Sequence, residues 1–395
     1  MSRKIIIAGG GIGGLSAALA LSLHDFEVHV LEQSDALAEV GAGIQLSPNA
    51  MHVLQMLGVS GDVLSHGFLP TNATMRHFQT AKEYLRMPLG DAIEKKFGAP
   101  YVHIHRADLH RVLHHAALSR GVHISVNARV RRYQNLAIQG VNQVQVYLDD
   151  GREMLADALI GADGIRSAVK KQMLPLASVE FTGQVAWRGT IDAQKVPRNL
   201  VKPEANLWVG PGAHLVSYYV RGGKEINVIA VQEQKQWTDT RWSVPGDVKT
   251  LCAAFVNWHS DVTQLLSKVE ECFLWGLFAS RPLDTWVDGH VALLGDACHP
   301  MLPFVAQGAA MAIEDSACLA QALSAHEKID RGLSAYQSSR YARVTKVQRM
   351  AAKNASLYHM QGASSHAKLL ALKAANTLSS DISALPMSYV YGYRV

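Results

Sequence analysis

A glycine-rich turn near the N-terminus has the spacing needed to hold a pyrophosphate group. Residues 9–14 read GGGIGG, and Gly9, Gly11 and Gly14 satisfy the pattern G-x-G-x-x-G, with Gly13 as a further candidate in the same turn. The first glycine permits a tight turn, the second lets the backbone approach the phosphates, and the third lets helix and strand pack closely. Free N–H groups at the start of the following helix attract negative charge. The turn predicts a dinucleotide site and leaves FAD and NAD both open.

Two carboxylates stand where they could accept hydrogen bonds from ligand hydroxyls. Glu32 follows the second predicted strand, 18 residues after Gly14, which is the usual place for an acid that binds a ribose. Asp296 ends a buried apolar run and precedes a helix that is predicted to begin near Gly308. The N-terminus of that helix would favour a negatively charged ligand group. The alternative interpretation of Asp296 is a helix-capping aspartate.

A histidine and a tyrosine lie on one face of a predicted strand. His214 and Tyr218 are separated by an even number of residues, so both side chains point to the same side. Such a pair suits the deprotonation of a substrate hydroxyl. By themselves the residues would more often form a satisfied pair in the core.

The elements that must position these residues begin with a βαβ unit. Residues 5–8 form a β-branched run, residues 15–23 follow the glycines as a small-residue helix, and residues 28–31 form a second apolar strand. Continuous apolar runs are typical of buried parallel strands. Residues 5–23 also resemble a signal peptide, but the five glycines argue against that interpretation.

Further elements follow from periodicity and from turn signals. Residues 106–120 have helical spacing, residues 144–148 alternate before an Asp-Asp-Gly hairpin signal, and residues 308–377 are predicted to be mostly helical. Residues 122–130, 155–161 and 291–294 are predicted to be strands. From Phe181 to Phe278 aromatic and polar segments alternate, which predicts a mainly antiparallel sheet. Six of the seven tryptophans fall in this stretch, either around a pocket or in the sheet core, of which the core is the more common arrangement.

Composition bounds the class of protein. The chain has 395 residues, is 48% hydrophobic, and carries a net charge of +5 without any long run of lysines or arginines. We therefore expect neither a nucleic-acid partner nor a membrane partner, and the diffuse positive charge either attracts anionic ligands or serves solubility. The four scattered cysteines suggest neither disulfides nor a metal site, so a cytoplasmic protein is expected.

Two later segments complete a family pattern. GADGIRSAV at residues 161–169 and LLGDACHPMLPFVAQGAAMAIEDSACLAQAL at residues 293–323 resemble motifs of the single-component FAD-dependent aromatic hydroxylases, of the salicylate 1-hydroxylase, 3-hydroxybenzoate 6-hydroxylase and 6-hydroxynicotinate 3-monooxygenase type. With the glycine turn, the three motifs occur in family order. The resemblance implies an α/β fold in which a Rossmann-like FAD-binding domain is interleaved with an antiparallel substrate domain and followed by a helical C-terminal region.

The resemblance also implies domain bounds. The FAD-binding domain is expected in three parts, the substrate domain in two, and a C-terminal segment follows. The FAD-binding parts are residues 1–75, 101–178 and 281–360, the substrate-domain parts are 76–100 and 179–280, and the C-terminal segment is 361–395.

Residue roles follow from matching positions in the motifs. Asp296 is implied to bind the ribityl chain of FAD, and Pro300 to lie beside the flavin ring. The backbone of Gly308, Ala309 and Ala310 is implied to face the pyrimidine edge of the flavin. Asp163 is implied to organise FAD and the transient nicotinamide site, and Arg106 to contact FAD. Lys170 stands where the family usually has arginine, which leaves the choice between NADH and NADPH open.

The chemistry implied by the family is hydroxylation through a flavin hydroperoxide. His214 and Tyr218 match the family's GP-x-x-H-x-x-x-Y stretch, so His214 is expected to be the base and Tyr218 its orienting neighbour. Arg188 and Arg221 are the candidates for binding a substrate carboxylate. Pro303 stands where a glutamine is expected in 3-hydroxybenzoate 6-hydroxylases, which favours salicylate-like or pyridine-type acids.

The expected function is that of an NAD(P)H-consuming, FAD-dependent monooxygenase that hydroxylates a small aromatic acid with molecular oxygen, in aromatic catabolism, as a monomer or homodimer. One alternative is a monooxygenase or epoxidase for a larger apolar or heteroaromatic substrate. The other is a flavin-binding protein without substrate turnover.

Overall fold

The computed structural model describes residues 2–37, 42–138, 141–239, 241, 243–360, 362–378 and 387–395. The strands in chain order are β1 Lys4–Ala8, β2 Glu27–Leu31, β3 Gly43–Leu46, β4 Asn72–His77, β5 Glu83–Pro88, β6 Val102–His105, β7 His123–Ser125, β8 Val130–Ile138, β9 Val141–Leu148, β10 Glu153–Ala156, β11 Ala158–Gly161, β12 Glu180–Asp192, β13 Ala205–Gly210, β14 Ala213–Val220, β15 Glu225–Glu233, β16 Ser243–Gly246, β17 Cys272–Ala279, β18 Val287–Asp288 and β19 Val291–Leu293. The α-helices are α1 Ile12–Ser22, α2 Pro48–Met56, α3 Ser60–His66, α4 Gly90–Phe97, α5 Arg106–Ser119, α6 Ala168–Met173, α7 Val248–Ala254, α8 Ser260–Leu266, α9 Gly308–Ala325, α10 Ile329–Tyr358 and α11 Gly362–Leu378.

The first sheet carries the predicted βαβ unit. Its strand order is β18-β19-β11-β1-β2-β7, and β1 pairs in parallel with both β2 and β11. Ile5, Ile6 and Ile7 are fully buried, as expected for a central parallel strand covered on both faces. The unit predicted from residues 5–31 is therefore confirmed.

The second sheet is the predicted antiparallel one. Its strand order is β16-β17-β12-β15-β14-β13-β4-β5, and its only parallel pair among the described strands is β13 with β4. Trp187 and Trp208 pack in an apolar cluster on one side of this sheet with Leu215 and Phe255. Of the two arrangements considered for the tryptophans, the sheet core is the one observed for these two.

Two predicted strands are shorter than expected because the chain changes sheets. Residues 155–161 divide at Asp157, whose carboxylate accepts a hydrogen bond from the Lys4 backbone N–H at 2.7 Å. β10 before it belongs to a small antiparallel sheet with β9, and β11 after it belongs to the first sheet. Residues 122–130 also divide, since Asn127 adopts a left-handed conformation (φ 51°) between β7 and β8.

The observed helices begin where the sequence pattern predicted them. α5 begins at Arg106, α9 begins at Gly308, and helical structure continues to Leu378. Among the described helices, none is both long and apolar enough to cross a bilayer. The observed α/β fold, with strands β4 and β5 inserted from an early part of the chain into the second sheet, has the predicted interleaved class. The exact domain bounds remain predictions.

Candidate active site

A cavity of about 520 Å³ lies between the two sheets. One wall is formed by the turn before α1, the loop after β19 and the first turn of α9. The opposite wall is formed by side chains of the second sheet, including Asn206, Val216 and Val231. The cavity thus lies at the carboxyl ends of β1 and β19, where open α/β sheets bind their ligands.

The glycine turn has no room for side chains at two of its predicted positions. Gly9 has φ +103°, and a Cβ atom there would lie 2.4 Å from the Ala162 carbonyl oxygen. A Cβ atom at Gly14 would lie 2.0 Å from the Gly9 carbonyl oxygen. Gly11 and Gly13 line the cavity itself. The turn therefore brings bare backbone and the N-terminus of α1 to the cavity, as a pyrophosphate site requires.

Glu32 holds this turn in place through hydrogen bonds to the backbone. Its carboxylate accepts hydrogen bonds from the Gly10 N–H at 2.7 Å and from the Ser34 N–H at 2.9 Å. Glu32 is not among the described residues that line the cavity. The structure therefore gives this acid a role in fixing the turn, and its predicted contact with a ribose remains a prediction.

The loop after β19 carries Asp296 to the cavity wall. Its side chain is exposed to the cavity and makes no hydrogen bond to another residue within the described part of the chain. Gly308 and Ala309, in the first turn of α9, line the same wall, and a Cβ atom at Gly308 would meet only open space. Pro300 and Ala310 are buried behind this wall. The predicted helix-capping alternative for Asp296 has no capping hydrogen bond to support it.

The middle motif forms a small capping unit. One carboxylate oxygen of Asp163 accepts from the Ala168 N–H at 2.7 Å and caps α6, while the other, Oδ1, is buried without a hydrogen-bond partner in the described structure. Lys170 is buried, and its ammonium donates to the Ile165 carbonyl at 3.1 Å. Arg106, at the start of α5, lines the cavity. Asp163 is not among the described lining residues, although its neighbours Ala162 and Gly164 are.

His214 lines the cavity from β14 but does not have the expected orienting partner. Its Nδ1 atom lies 2.9 Å from Nε2 of His359, the residue that follows α10. His359 Nδ1 in turn lies 3.1 Å from a carboxylate oxygen of Glu233. Tyr218 lines the cavity too, but its ring packs against His103 with centroids 4.5 Å apart. His359, rather than Tyr218, therefore orients His214, because residues four apart on a strand are too distant to touch.

Burial perturbs the pKa values of both predicted catalytic residues. Desolvation lowers the pKa of His214 well below its usual value, and the neighbouring His359 acts in the same direction. Desolvation also raises the pKa of the Tyr218 hydroxyl, although Arg188 and Gln45 oppose the shift. Both side chains are thus neutral at ordinary pH.

The two candidate arginines occupy different environments. Arg188 lines the cavity from β12, its guanidinium lies 4.4 Å from the centre of the Trp275 ring, and its Nε is buried without a hydrogen-bond partner among the described residues. The Arg188 side chain is partly buried, and desolvation lowers its pKa to about 10. Arg221 instead lies in a surface turn, paired with Glu225 at 3.0 Å and with Asp108 at 3.5 Å.

Residues of the C-terminal segment line the cavity, which the sequence did not reveal. Met387 and Tyr391 line the cavity, and Tyr391 packs edge-on against Tyr101 at 5.8 Å. Tyr101 donates to Gln45, another lining residue, at 2.7 Å. No motif in the sequence located these last residues at the cavity.

Comparison with known proteins identifies the class. Residues 2–351 match the model of the FAD binding domain family. The chain is 36% identical over 361 residues to the 3-hydroxybenzoate 6-hydroxylase of Polaromonas naphthalenivorans, covering 91% of this chain and 88% of the relative. It is 33% identical over 354 residues to the 6-hydroxynicotinate 3-monooxygenase of Bordetella bronchiseptica, covering 89% and 91%. A salicylate hydroxylase solved as a substrate complex superimposes with a TM-score of 0.84 at 25% identity, covering 100% of this chain and 96% of the other.

The chain therefore belongs to the FAD binding domain family. Within it, the chain is an FAD-dependent monooxygenase of the aromatic hydroxylase type. The residues present fit the flavin dinucleotide: the glycine turn offers bare backbone, Gly308 faces open space, and Asp163 Oδ1 and the Asp296 carboxylate are without protein partners among the described residues.

Proposed function

We propose that this monooxygenase hydroxylates a small aromatic acid that carries a ring hydroxyl or an equivalent tautomeric group, with NADH or NADPH as reductant. The observation that carries the proposal is that one cavity holds a desolvated cation, Arg188, and a neutral imidazole, His214, beside the candidate flavin wall. A carboxylate and a ring hydroxyl on one small aromatic molecule complement this pair. The named relatives, which act on hydroxybenzoate and hydroxynicotinate, support the same substrate class.

Arg188 is the anchor for the carboxylate. A guanidinium whose Nε–H is buried and without a partner among the described residues gains charge-assisted hydrogen bonds when an anion enters. The Trp275 ring, 4.4 Å from the guanidinium carbon, stabilises the cation through its π face. Arg221 does not serve this purpose, because its charge is already paired at the surface.

His214 is the base that accepts the hydroxyl proton. His359 occupies its Nδ1, so Nε2 is the ring nitrogen left for a ligand in the cavity. A ring that loses its hydroxyl proton becomes electron-rich and open to attack by an electrophilic oxygen atom, which reduced FAD supplies from molecular oxygen. Tyr218 contributes to the same wall as a neutral hydroxyl that can bind and position the substrate.

The flavin site is formed by the residues predicted from the motifs. Gly9, Gly11, Gly13 and Gly14 receive the pyrophosphate, with Glu32 fixing the turn. Asp296 binds the ribityl hydroxyls, and Gly308, Ala309 and Ala310 provide the backbone at the pyrimidine edge. Pro300, Asp163 and Arg106 complete the site. In support, five of these residues, Gly11, Gly13, Asp296, Gly308 and Ala309, share one cavity wall.

The decisive experiment measures coupled turnover. The FAD-loaded protein would be assayed for NADH and NADPH oxidation with salicylate, 3-hydroxybenzoate and 6-hydroxynicotinate, with product mass determined in each case. We expect at least one acid to stimulate oxidation and to gain one oxygen atom, whereas benzoate, which lacks the hydroxyl, gives only uncoupled oxidation. Failure of all three acids to yield an oxygenated product would reject the proposal.

A larger apolar or heteroaromatic substrate is the second candidate, and one observation favours it. Four methionines, Met75, Met87, Met301 and Met387, line the cavity. Methionine side chains adapt to varied apolar shapes, so a cavity with this lining can receive a ring substituent. Faster coupled turnover of an alkyl-substituted hydroxy acid than of the unsubstituted parent would support this candidate.

A further inference from the structure

A continuous series of hydrogen-bonded side chains runs from the cavity to the surface through His214, His359 and Glu233. The two hydrogen-bond distances are 2.9 Å between the imidazoles and 3.1 Å between His359 and the carboxylate. His214 and His359 are buried, whereas 43% of the Glu233 side chain is exposed to solvent. From this geometry we infer that the three residues are a proton relay that carries the substrate hydroxyl proton out of the cavity; the inference rests on the proposed function.

The relay is balanced in protons and leaves no charge on either imidazole, so the only new charge in the cavity is that of the deprotonated substrate. The substrate O–H bond breaks as an N–H bond forms at His214 Nε2, and His214 releases its Nδ1 proton to His359 Nε2. His359 then releases its Nδ1 proton to a Glu233 oxygen, which loses it to water. Both imidazoles end neutral with exchanged tautomers. A relay of this kind needs one N–H per ring and adjacent atoms in hydrogen-bond contact, and the two observed distances meet the second condition.

A relay explains how a buried imidazole can serve as a base. Desolvation lowers the pKa of His214 well below its usual value, so a proton that stayed there would be held poorly. Because His214 passes its Nδ1 proton to His359 as it accepts the substrate proton at Nε2, no stable imidazolium has to form. His359 also follows the C-terminus of α10, where the helix dipole favours a passing positive charge.

The surroundings leave few other routes for the proton. The Phe304 and Tyr358 rings enclose the His214 ring with centroid separations of 4.9 and 5.3 Å. The Tyr358 hydroxyl donates to the Phe304 carbonyl at 3.0 Å rather than to an imidazole. Backbone hydrogen bonds through Gly212 hold His359 and Glu233 next to each other. The Gly212 N–H donates to the His359 carbonyl, and the Gly212 carbonyl accepts from the Glu233 N–H.

The test replaces the terminal carboxylate by its amide. Glu233→Gln keeps an oxygen that accepts from His359 Nδ1 but cannot take up a proton. FAD-loaded enzyme would be mixed rapidly with a saturating substrate acid, and phenolate absorbance and dye-detected proton release would be followed. We expect unchanged FAD content and a release rate reduced at least about 10-fold, compared with roughly 100-fold or more when a general base itself is removed.

Two variants separate a relay from a structural contact. Glu225→Gln, at the opposite end of β15, removes a partly exposed carboxylate that pairs with Arg221 and does not contact His214 or His359, and it is expected to release protons at the wild-type rate. Glu233→Asp, which retains a titratable group, is expected to recover part of the rate that Glu233→Gln loses. Proton release by Glu233→Gln at the wild-type rate would overturn the relay and leave the proposed function intact. A wild-type enzyme that turns over none of the aromatic acids would overturn both.

Discussion

At the scale of single residues, burial determines what each polar group in the cavity can do. Arg188 and Arg221 have the same side chain, yet only the first presents a desolvated and incompletely bonded guanidinium to a ligand. His214 likewise differs from a surface histidine because its charged form is disfavoured. The local dielectric and the available partners, rather than residue type, distinguish these groups.

His214→Ala tests the base. The variant is expected to retain FAD and to be reduced by NADH, but to lose roughly 100-fold or more in hydroxylation, the range for removal of a general base. The ratio of product formed to NADH consumed should fall, since activated oxygen is released as hydrogen peroxide when the ring is not deprotonated. His259→Ala is the matched control, because His259 stacks on Trp208 outside the cavity lining. Wild-type rate and coupling in His214→Ala would make this histidine a packing residue.

Arg188→Gln tests the carboxylate anchor. Losing hydrogen bonds between charged groups costs about 1.5–3 kcal/mol, so the substrate Kd is expected to rise about 10- to 100-fold while FAD binding is retained. The measurement is a titration of the flavin absorbance with the substrate acid. Arg221→Gln, the other arginine considered, should bind substrate as the wild type does. Equal affinities in the two variants would remove Arg188 from the substrate site.

At the scale of elements, a buried ion-pair network joins three parts of the C-terminal half. Arg343 of α10 donates to both carboxylate oxygens of Glu314 in α9 at 2.6 Å. The same guanidinium donates to the backbone carbonyls of Tyr389 and Val390 at 3.0 Å. These contacts hold the segment that delivers Tyr391 to the cavity, so α9, α10 and the chain end are positioned together.

Arg343→Met should uncouple these elements. Removing one partner of a buried ion pair typically costs about 3–5 kcal/mol. Glu314 keeps a second buried ion pair, with Arg340 at 2.7 Å, so the loss expected here lies at or below the low end of that range. We expect a corresponding loss in the free energy of unfolding, measured by denaturant titration, together with weaker substrate binding from a displaced Tyr391. Arg349→Met, an exposed position on the same helix, provides the control. Equal stability of the two variants would show that the network contributes little.

At the scale of the whole molecule, the packing of two sheets around one cavity buries several histidines in neutral form. His103 is fully buried among aromatic rings, and desolvation lowers its pKa to about 3. Desolvation also lowers the pKa values of His214 and His359. The unfolded chain binds protons at these histidines below about pH 6.5, whereas the folded chain does not.

Stability should therefore fall as the pH falls from about 6.5 toward about 3, at up to about 1.4 kcal/mol per pH unit for each such histidine. The free energy of unfolding of the FAD-loaded protein, measured at about pH 7.5 and about pH 5.5, would show this decrease. His103→Phe, which keeps an aromatic ring among aromatic neighbours, should reduce the decrease, and His66→Gln at an exposed position should not. An identical decrease in His103→Phe would exclude His103 as a source.

The sequence alone determined the parts of this protein whose signals are local. The glycine turn, the apolar runs of β1 and β2, and the helix starts at Arg106 and Gly308 depend on neighbouring residues, so spacing located them. The motifs also led to the family and singled out Asp296, which lies on the cavity wall and whose contact with the ribityl chain remains a prediction.

Only the tertiary structure decided which distant side chains meet. His214 and His359 are 145 residues apart, and no motif connects them, but the packing of the α10 end against β14 brings their rings into hydrogen-bond contact. Tertiary structure likewise placed Arg188 on the cavity wall and Arg221 in a surface turn, and it brought Tyr391 to the cavity. Such contacts depend on how whole elements bury their apolar faces against one another. A local sequence pattern does not specify which distant residue will pack against it.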